Sequence, residues 1–599
     1  MFQTFDSSAD PTRGPARLER LRRAMSMKGL DGFIVPRADA HQGEYVADCD
    51  ARLAWLTGFS GSAGFCIALK KTAGIFVDGR YRTQVRVQAD MDAFTPVHWP
   101  ETQPGPWLKD SLADASAKIG FDPWLHTKGE IDKIEAALEG TEIKLIPTDN
   151  LVDQIWEDRP PAPNGKIIEQ PIEFAGMSSA AKRSELADGL LADGQKACVM
   201  TLSDSIAWML NIRGDDIPRI PVVQGFAILN DDGSVAFFTT EGRVIEAKLD
   251  ADVSLHSIKD FSTALKKLDG PVRVDKASAP LAASQILEDA GTQIAWGDDP
   301  AVLPKAQKNP TELNGAREAH LRDAAAMVEF LAWYDGADKS GLTEIDLVTT
   351  LEEKRRAGNA LLDISFETIS GAGPNGAIMH YRVTDETNRS LEDGNLVVLD
   401  SGGQYRDGTT DITRTLRVGD IGEEEKRCYT RVLQGMIALS RVYFPRGRSG
   451  RDLDPIARYP LFAAHQDFNH GTGHGVGAYL SVHEGPARFS HVSDVELLPG
   501  MILSNEPGYY REGAFGIRLE NLVVVETAIC PEGGDADRDM LSLETLTFVP
   551  FDTSLVVADM LSGEERAWLN AYHAFCVEKL QGRLNDATFD WLKTVCAPI

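Results

Sequence analysis

Five potential metal ligands in the last third of the chain impose the strongest constraint on its fold. They are Asp400, Asp411, His474, Glu506 and Glu520. Four carboxylates and one imidazole exceed the roughly three protein ligands of a catalytic zinc site, whereas they suit two divalent ions that share bridging carboxylates. The set therefore favours a hydrolase that activates water with two metal ions, and it requires a fold in which residues 400 and 520 meet.

The first two carboxylates belong to a predicted β-hairpin. Residues 395–400 have the apolar sequence of a buried strand, and residues 409–418 alternate apolar and polar side chains, as a second strand does. Asp400 and Asp411 are equidistant from the centre of the intervening turn. We therefore predict that they lie directly opposite one another, with Cβ atoms about 4.5–5.5 Å apart. Two facing carboxylates repel unless a cation lies between them.

A second predicted hairpin repeats this arrangement downstream. Residues 501–506 and 516–526 have strand-like sequences, and Glu506 and Glu520 are symmetric about Gly513. The two glutamates should therefore also face each other. Because 90 of the 599 residues are acidic, either pair could instead consist of solvated or salt-bridged side chains.

Histidines near these hairpins shift the balance towards a metal site. The densest motif is residues 470–477, His-Gly-Thr-Gly-His-Gly-Val-Gly. Glycines around His474 would let the backbone approach the ions and leave the imidazole facing a cavity. His483 lies in a predicted tight turn. His380 lies in a strand predicted over residues 377–383, where a lone histidine is more often a hydrogen-bonded core residue than a functional one.

The chain is long enough for several domains. Residues 157–163 are polar and proline-rich, as a linker is. Residues 309–312, Asn-Pro-Thr-Glu, contain the N-cap, proline and glutamate that start a helix. We therefore predict three domains, residues 1–158, 159–308 and 309–599.

A weak internal repeat links the first two predicted domains. Residues 53–56, Leu-Ala-Trp-Leu, resemble residues 206–209, Ile-Ala-Trp-Met. Both segments follow an apolar strand and precede further glycine-containing loops and strands. The repeat favours two copies of one α/β unit.

Charge and composition exclude several classes of protein. The net charge of −29 disfavours nucleic acid and anionic membranes as partners, because both would be repelled. The seven cysteines form no Cys-x-x-Cys pair, which is typical of a reducing compartment and excludes a cysteine zinc site. Residues 1–15 lack the apolar core of a signal peptide, and no apolar run is long enough to span a membrane. We therefore expect a cytoplasmic protein with no membrane partner.

The motifs resemble those of a known family. The order Asp, Asp, His, Glu, Glu, with residues 470–475 (His-Gly-Thr-Gly-His-Gly) and 505–510 (Asn-Glu-Pro-Gly-Tyr-Tyr), resembles the pita-bread metallopeptidases, and among them the three-domain cytosolic aminopeptidase P family. Residues 58–64 and 78–81 resemble that family's creatinase-like N-terminal domain. The resemblance implies a multidomain α/β and α+β fold, with two creatinase-like α/β domains before a pita-bread α+β catalytic domain that carries a C-terminal extension.

The resemblance also implies a role for each metal ligand. Asp411 and Glu520 would bridge both ions. Asp400 would complete the shell of one ion, and His474 and Glu506 that of the other. Glu506 would in addition relay a proton as a catalytic residue.

Five further residues are implied to contact or support the substrate. His380 and His483 would contact the substrate carbonyl and stabilise the tetrahedral intermediate, and His470 would line the subsite for proline. Arg518 and Tyr510 match positions that support the substrate site in this family.

The implied activity is hydrolysis of the Xaa-Pro bond at the N-terminus of peptides, by a hydroxide that bridges two metal ions. Oxygen-rich ligands with a single imidazole suit Mn²⁺ better than Zn²⁺, and the resemblance points the same way. The implied partners are peptides with proline at the second position and a second copy of the chain, as a homodimer. Two alternatives remain open, namely a prolidase that acts on Xaa-Pro dipeptides and an inactive peptide-binding module. The five intact ligands disfavour the module.

Overall fold

The computed structural model describes residues 1–7, 9–113 and 115–599. The chain divides into two compact units, Ser8–Val302 and the combination of Met1–Ser7 with Leu303–Ile599. All five predicted metal ligands lie in the second of these, which we call the catalytic unit. The domain boundaries at 158/159 and 308/309 stay predictions.

The first unit begins with a mixed six-stranded sheet. Its strands are β1 (Gly32–Pro36), β2 (Phe65–Leu69), β3 (Ala73–Val77), β4 (Thr95–His98), β5 (Ala117–Phe121) and β6 (Ile143–Pro147), in the spatial order β4-β3-β2-β1-β5-β6. Strand β1 pairs antiparallel with β2 and parallel with β5. The accompanying helices are α1 (Gly14–Met27), α2 (Arg52–Thr57), α3 (Gln84–Gln88), α4 (Pro104–Leu112), α5 (Lys128–Leu138) and α6 (Leu151–Ile155).

A second six-stranded sheet in the same unit has the same topology. Its members are β8 (Ala197–Met200), β10 (Gly225–Asn230), β11 (Val235–Thr239), β12 (Val253–Ser257), β13 (Val272–Val274) and β14 (Ile294–Trp296), in the order β12-β11-β10-β8-β13-β14. A small sheet pairs β7 (Ile168–Glu169) with β9 (Ile212–Arg213). The helices are α7 (Ile172–Ala175), α8 (Ser179–Ala192), α9 (Ser203–Leu210), α10 (Phe261–Leu265) and α11 (Leu281–Asp289).

The two sheets confirm the predicted repeat. Helix α2 follows β1 as α9 follows β8, and the two similar sequence segments lie in these two helices. Each of β1 and β8 pairs antiparallel with one neighbour and parallel with the other. The unit therefore contains two copies of one α/β fold.

The catalytic unit combines several smaller sheets. Strands β15 (Asp363–Ile364), β18 (Gly403–Tyr405) and β19 (Gly408–Thr409) form one, and β16 (Ile369–Ala372), β17 (Leu396–Ser401) and β20 (Ile412–Arg417) form another. The largest contains β21 (Phe444–Pro445), β22 (Gly473–Gly475), β23 (Glu484–Phe489), β24 (Ile502–Asn505), β27 (Asn521–Thr527) and β28 (Met540–Thr545), in the order β21-β28-β27-β24-β22-β23. Strands β25 (Gly508–Arg511) and β26 (Phe515–Arg518) form a separate hairpin.

Helices cover these sheets. They are α12 (Val302–Ala306), α13 (Pro310–Gly336), α14 (Glu344–Ala357), α15 (Glu423–Ser440), α16 (Gly450–Phe462), α17 (Gly563–Leu580) and α18 (Asp586–Val595). Helix α13 starts as predicted, with Asn309 and Glu312 forming a capping box around Pro310. Among the residues that the structure describes, no helix has both the length and the hydropathy needed to cross a bilayer.

The main core of the catalytic unit joins three helices to the strands that carry the first carboxylates. Leu331 of α13, Leu433 of α15 and Leu569 of α17 pack in one cluster with Leu399 of β17 and Leu416 of β20. Burial of each such side chain contributes about 1.5–3 kcal/mol. The C-terminal extension therefore shares the core from which the candidate site is built.

The strand predicted over residues 377–383 is wrong. Gly373–Ala377 form a 3₁₀ helix, and His380 lies in a turn after it. The physical reason is the buried carboxylate of Glu344, around which the chain curls. This carboxylate accepts hydrogen bonds from the Ala372 N–H (2.7 Å), the Asn375 side-chain amide (3.0 Å), the Tyr381 hydroxyl (2.9 Å) and the Arg389 N–H (3.0 Å). In an extended chain Asn375 and Tyr381 would lie about 20 Å apart, so both can reach one carboxylate only if the segment between them turns.

Candidate metal centre

Three of the five predicted ligands converge on one point. Ligand atoms of Asp411, His474 and Glu520 all lie within 4.8 Å of one another. Asp411 immediately precedes β20, His474 lies in β22, and Glu520 lies between β26 and β27. Segments far apart in sequence thus meet, as the sequence requires.

Asp400 pairs with a residue two positions away from its predicted partner. In the observed register Asp400 of β17 pairs with Thr413 rather than with Asp411. The short strands β18 and β19 keep the same register, with Gln404 opposite Thr409 and Tyr405 opposite Gly408, so the turn is centred one residue later than predicted. Because side chains alternate between faces, Asp411 remains on the same face of the hairpin as Thr413, diagonally from Asp400.

The second carboxylate pair keeps its predicted symmetry. Asn505 pairs with Asn521 on one side of an interruption in the hairpin, and Gly508 pairs with Arg518 on the other. Both pairings are symmetric about Gly513, as predicted. The first predicted strand ends at Asn505, before Glu506, and the second is divided into β26 and β27 around Glu520. The broken ladder leaves these residues free to turn towards the site.

His474 presents one ring nitrogen to the carboxylates. Its Nδ1 lies 3.0 Å from the carbonyl oxygen of Gly475, which can only accept, so Nδ1 carries the proton and Nε2 has a free lone pair. Nε2 lies 3.5 Å from Asp411 Oδ2 and 3.3 Å from Glu506 Oε1. This is the tautomer that a metal ligand requires.

The glycines around His474 let neighbouring strands pack closely. A Cβ on Gly473 would lie 1.8 Å from the Ser504 carbonyl oxygen, and one on Gly475 would lie 2.3 Å from that of Glu484. Only glycine lets β22 approach both neighbouring strands this closely. That the glycines also let the backbone approach the ions stays a prediction.

The buried carboxylates of the site repel one another, which favours a bound cation. Burial raises the pKa of Asp411 well above its usual range, and the charges of Asp400 and Glu506 raise it further. Burial and the neighbouring Asp411 raise the pKa of Glu520 in the same way. Burial also raises the pKa of Glu506, although His474 opposes the shift. Each negative charge is therefore unfavourable while the others are present.

The hydrogen bonding of the carboxylate oxygens shows that divalent ions fit the site. Asp400 Oδ1, Asp411 Oδ1 and Glu520 Oε1 are buried without a hydrogen-bond partner among the described residues. Buried polar atoms without partners are costly, and a hard cation satisfies carboxylate oxygens. The remaining oxygens are held in place, since Thr413 Oγ1 donates to Glu520 Oε2 (2.8 Å) and Ser504 Oγ donates to Glu506 Oε1 (3.0 Å). Neither hydroxyl was predicted from the sequence.

A chain of hydrogen bonds joins His470 to Asp400. Arg518 donates from Nη2 to Asp400 Oδ2 (2.6 Å) and from Nη1 to the Tyr510 hydroxyl (2.7 Å). Burial raises the pKa of Tyr510 to about 12, so its hydroxyl keeps a proton. His470 Nδ1 donates to the Gly471 carbonyl (2.7 Å), which leaves Nε2 to accept from Tyr510 (2.9 Å). The chain connects three predicted substrate-site residues to a predicted metal ligand.

The two remaining predicted histidines have different surroundings. The His483 ring lies against His474, with centroids 4.2 Å apart and planes at 85°. His380 is half-buried in its turn, and its loop sets its position. The 3₁₀ helix before that loop packs tightly on β26, because a Cβ on Gly516 would lie 1.7 Å from the Gly376 carbonyl oxygen.

A buried ionic triad next to His483 was missed by sequence analysis. Glu484 Oε1 lies 2.9 Å from Lys305 Nζ, and Glu484 Oε2 pairs with Lys308 Nζ. All three side chains are at most 2 % exposed. Lys305 and Lys308 precede the predicted start of the last domain, and their spacing does not indicate a partner.

Replacing Glu484 by glutamine should lower the free energy of unfolding of the catalytic unit by about 3–5 kcal/mol. The substitution leaves two buried ammonium groups without a negative charge. Urea unfolding measures the change. The matched control is Glu564→Gln, which removes an exposed ion pair with Arg441 and should cost less than about 1 kcal/mol. Equal effects of the two substitutions would contradict the prediction.

Comparison with known families gives matches along nearly the whole chain. Residues 314–527 match Metallopeptidase family M24, and residues 539–599 match the C-terminal region of peptidase M24. Residues 17–155 and 158–312 each match the Creatinase/Prolidase N-terminal domain.

Individual relatives match over their full length. Aminopeptidase P1 of Lotus japonicus is 35% identical, over 97% of this chain and 99% of its own. A probable Xaa-Pro aminopeptidase P of Talaromyces marneffei is 37% identical, over 97% and 92%. The crystal structure of X-prolyl aminopeptidase from Caenorhabditis elegans, described as a cytosolic enzyme with a di-nuclear active site, superposes with a TM-score of 0.91 at 32% identity, covering 98% of this chain and 99% of that one.

Proposed function

Because the chain belongs to metallopeptidase family M24, and within it to the aminopeptidase P family, we propose that it releases the first residue from peptides whose second residue is proline. Membership makes the protein a metalloaminopeptidase with creatinase-type N-terminal domains. The observation that carries the proposal is the convergence of Asp411, His474 and Glu520 on one point, with orphaned carboxylate oxygens around it.

The proposed ligand set is the one that the sequence predicts. Asp411 and Glu520 would be the bridging ligands, and burial together with neighbouring carboxylates raises the pKa of both groups. Asp400 would hold one ion, and His474 and Glu506 would hold the other. Two bound divalent ions would lower the pKa of a shared water towards ~7 and so supply hydroxide at neutral pH. We propose Mn²⁺ because oxygen ligands predominate.

The protein's own groups would handle the proton and the developing charge. Glu506 takes the proton of the attacking water and passes it to the leaving proline nitrogen, as a general base and then a general acid. His380 and His483 donate to the carbonyl oxygen as it becomes negative, an effect worth roughly 2.7–4 kcal/mol per donor in other hydrolases. Arg518 orients Asp400 through its 2.6 Å hydrogen bond.

His470 is proposed to line the proline subsite. Its ring is hydrogen-bonded to the Gly471 carbonyl and the Tyr510 hydroxyl. The ring also packs against the Phe468 ring, with centroids 4.7 Å apart and an angle of 42° between the planes. A ring fixed in this way offers a rigid flat wall for the pyrrolidine of proline. Specificity for proline would then come from shape at a preorganised surface.

Peptide length tests the proposed activity. A purified, Mn²⁺-loaded sample should release the first residue from an Xaa-Pro-Pro tripeptide and act far more slowly on the Xaa-Pro dipeptide. Both assays are repeated after metal removal, with a known aminopeptidase P in parallel. Preference for the dipeptide would instead identify a prolidase. No cleavage of either peptide by metal-loaded protein would favour an inactive binding module.

Three further properties are proposed from the same membership. They are a homodimer, a cytoplasmic location and the three-domain division at residues 158/159 and 308/309. Light scattering of the purified protein tests the first, because a dimer doubles the mass of 65.4 kDa. A monomer at micromolar concentration would refute it.

A further inference from the structure

The first residues of the chain are built into the catalytic unit. The Gln3 side chain forms two hydrogen bonds with the backbone of Thr368, donating from Nε2 to the carbonyl oxygen (3.2 Å) and accepting at Oε1 from the N–H (2.8 Å). Gln3 is only 2% exposed. The Phe2 N–H donates to Glu352 Oε1 of α14 (2.8 Å). Residues 2–6, which we call the N-terminal strap, are therefore fixed on two elements of this unit.

The strap also holds the loop that contains His380. Arg382, two residues after His380, donates from Nη1 to the Asp6 carbonyl (2.7 Å) and from Nη2 to the Thr4 carbonyl (2.9 Å). The Asp385 N–H donates to the carbonyl of Phe5 (2.9 Å). Carbonyl oxygens of the strap thus accept hydrogen bonds from both a side chain and the backbone of the loop.

An apolar contact supports these hydrogen bonds. The Phe5 side chain packs against a small buried cluster that unites the loop with α14 and β16. The cluster consists of Val348, Ile369, Tyr381 and Val383. Tyr381 directly follows His380, so Phe5 contacts the loop beside the histidine. Loss of the phenyl ring would leave this cluster partly exposed to water.

The loop is held on its other side by Glu344. The Tyr381 hydroxyl and the Arg389 N–H both donate to this buried carboxylate. Ile369, which packs against Phe5, is paired in the sheet with Asp400. Glu344 and the strap together fix the residues on both sides of His380, and neither of them contains a metal ligand.

We infer that Gln3, Phe5 and Arg382 are positioning residues that hold His380 where it can meet the substrate carbonyl. The inference rests on the proposed role of His380. Without the strap, the loop would be held by Glu344 and by the ion pair of Arg382 with Glu367. A misplacement of the histidine ring by about 1 Å can cost as much as 10²-fold in rate. The strap therefore takes part in turnover through His380 and without touching the substrate.

A double-mutant cycle separates positioning from general stability. Gln3→Ala should lower kcat on an Xaa-Pro-Pro peptide about tenfold or more, with KM changed by less than about twofold, because the contact matters only as charge develops. In a His380→Ala background the same substitution should change kcat by less than about twofold. Effects that multiply in the two backgrounds would overturn the inference, and so would unchanged kcat in Gln3→Ala.

Hydrogen exchange gives a readout that does not depend on activity. Amides of residues 378–389 should exchange faster in Gln3→Ala and in Phe5→Ala, with metal content equal to wild type. The control Arg446→Ala removes a surface ion pair with Asp539 and should leave both exchange and kcat unchanged. If wild type cuts no Xaa-Pro peptide, the proposed function fails while exchange still tests the strap. Unchanged exchange in both strap variants would refute the link to the loop.

Discussion

Alanine at position 411 should abolish both metal binding and turnover, with kcat/KM lowered at least about 10³-fold. Burial and the negative charges of Asp400 and Glu506 raise the pKa of Asp411. Asp411 Oδ2 lies 3.5 Å from His474 Nε2. Its removal takes a proposed bridging ligand from both ions. The loss of metal-ion catalysis is worth several kcal/mol, and about 1.4 kcal/mol corresponds to tenfold in rate. Elemental analysis and peptide kinetics measure the two effects.

Asp407→Ala is the matched control for this substitution. Asp407 lies in the turn of the same hairpin and pairs with Arg322 at 2.9 Å, apart from the ligand cluster. This variant should bind metal and turn over peptide as wild type does. Full metal content or full activity in Asp411→Ala would show that the ligand assignment is wrong.

Replacing Arg414 by methionine should cost at least about 4 kcal/mol in the free energy of unfolding of the catalytic unit. The guanidinium is fully buried and lies over the Phe551 ring at 4.2 Å. It donates to the carbonyls of Thr413, Glu520, Val549 and Pro550, to Asn521 Oδ1 and to the Tyr572 hydroxyl. Methionine keeps the volume but leaves these acceptors unsatisfied, at about 1–3 kcal/mol for each one that stays dry.

Urea unfolding of Arg414→Met, followed by fluorescence, measures the loss of stability. The control is Arg417→Met on the same strand, whose side chain is 40% exposed and lies 3.5 Å from Asp552. That change should cost less than about 1 kcal/mol. Metal affinity should fall in Arg414→Met as well, because the guanidinium fixes the backbone of Glu520. A stability equal to that of the Arg417 variant would contradict this account.

The sequence predicts most of the candidate site because its signals are local. Glu506 and Glu520 lie at symmetric positions around Gly513, and the flanking register keeps that symmetry. Their hairpin has a single simple turn. Asp400 and Asp411 miss direct pairing by two residues because the turn is centred one residue later than predicted, between Arg406 and Asp407. Apolar and polar alternation shows which face a side chain lies on, but it does not show how tightly a turn closes.

Residues that act through distant partners could not be predicted in this way. The strand expected around His380 is replaced by a turn because Glu344, more than thirty residues earlier, supplies a buried acceptor. Gln3 and Thr368, which are hydrogen-bonded to each other, are 365 residues apart in the sequence. A glutamine near the start of a chain carries no periodicity or motif that indicates such a partner. Long-range polar contacts of this kind become visible only when the fold brings the two residues together.

The ion pairs of Lys305 and Lys308 limit where a fragment that contains the peptidase can begin. Both precede residue 309, at which the sequence places the start of the last domain, yet their ammonium groups neutralise Glu484, the neighbour of His483. A polypeptide that began at residue 309 would keep every proposed metal ligand and still bury an uncompensated carboxylate beside the substrate site. Fragments and chimaeras that contain this peptidase must therefore include Lys305 and Lys308 as well as the N-terminal strap.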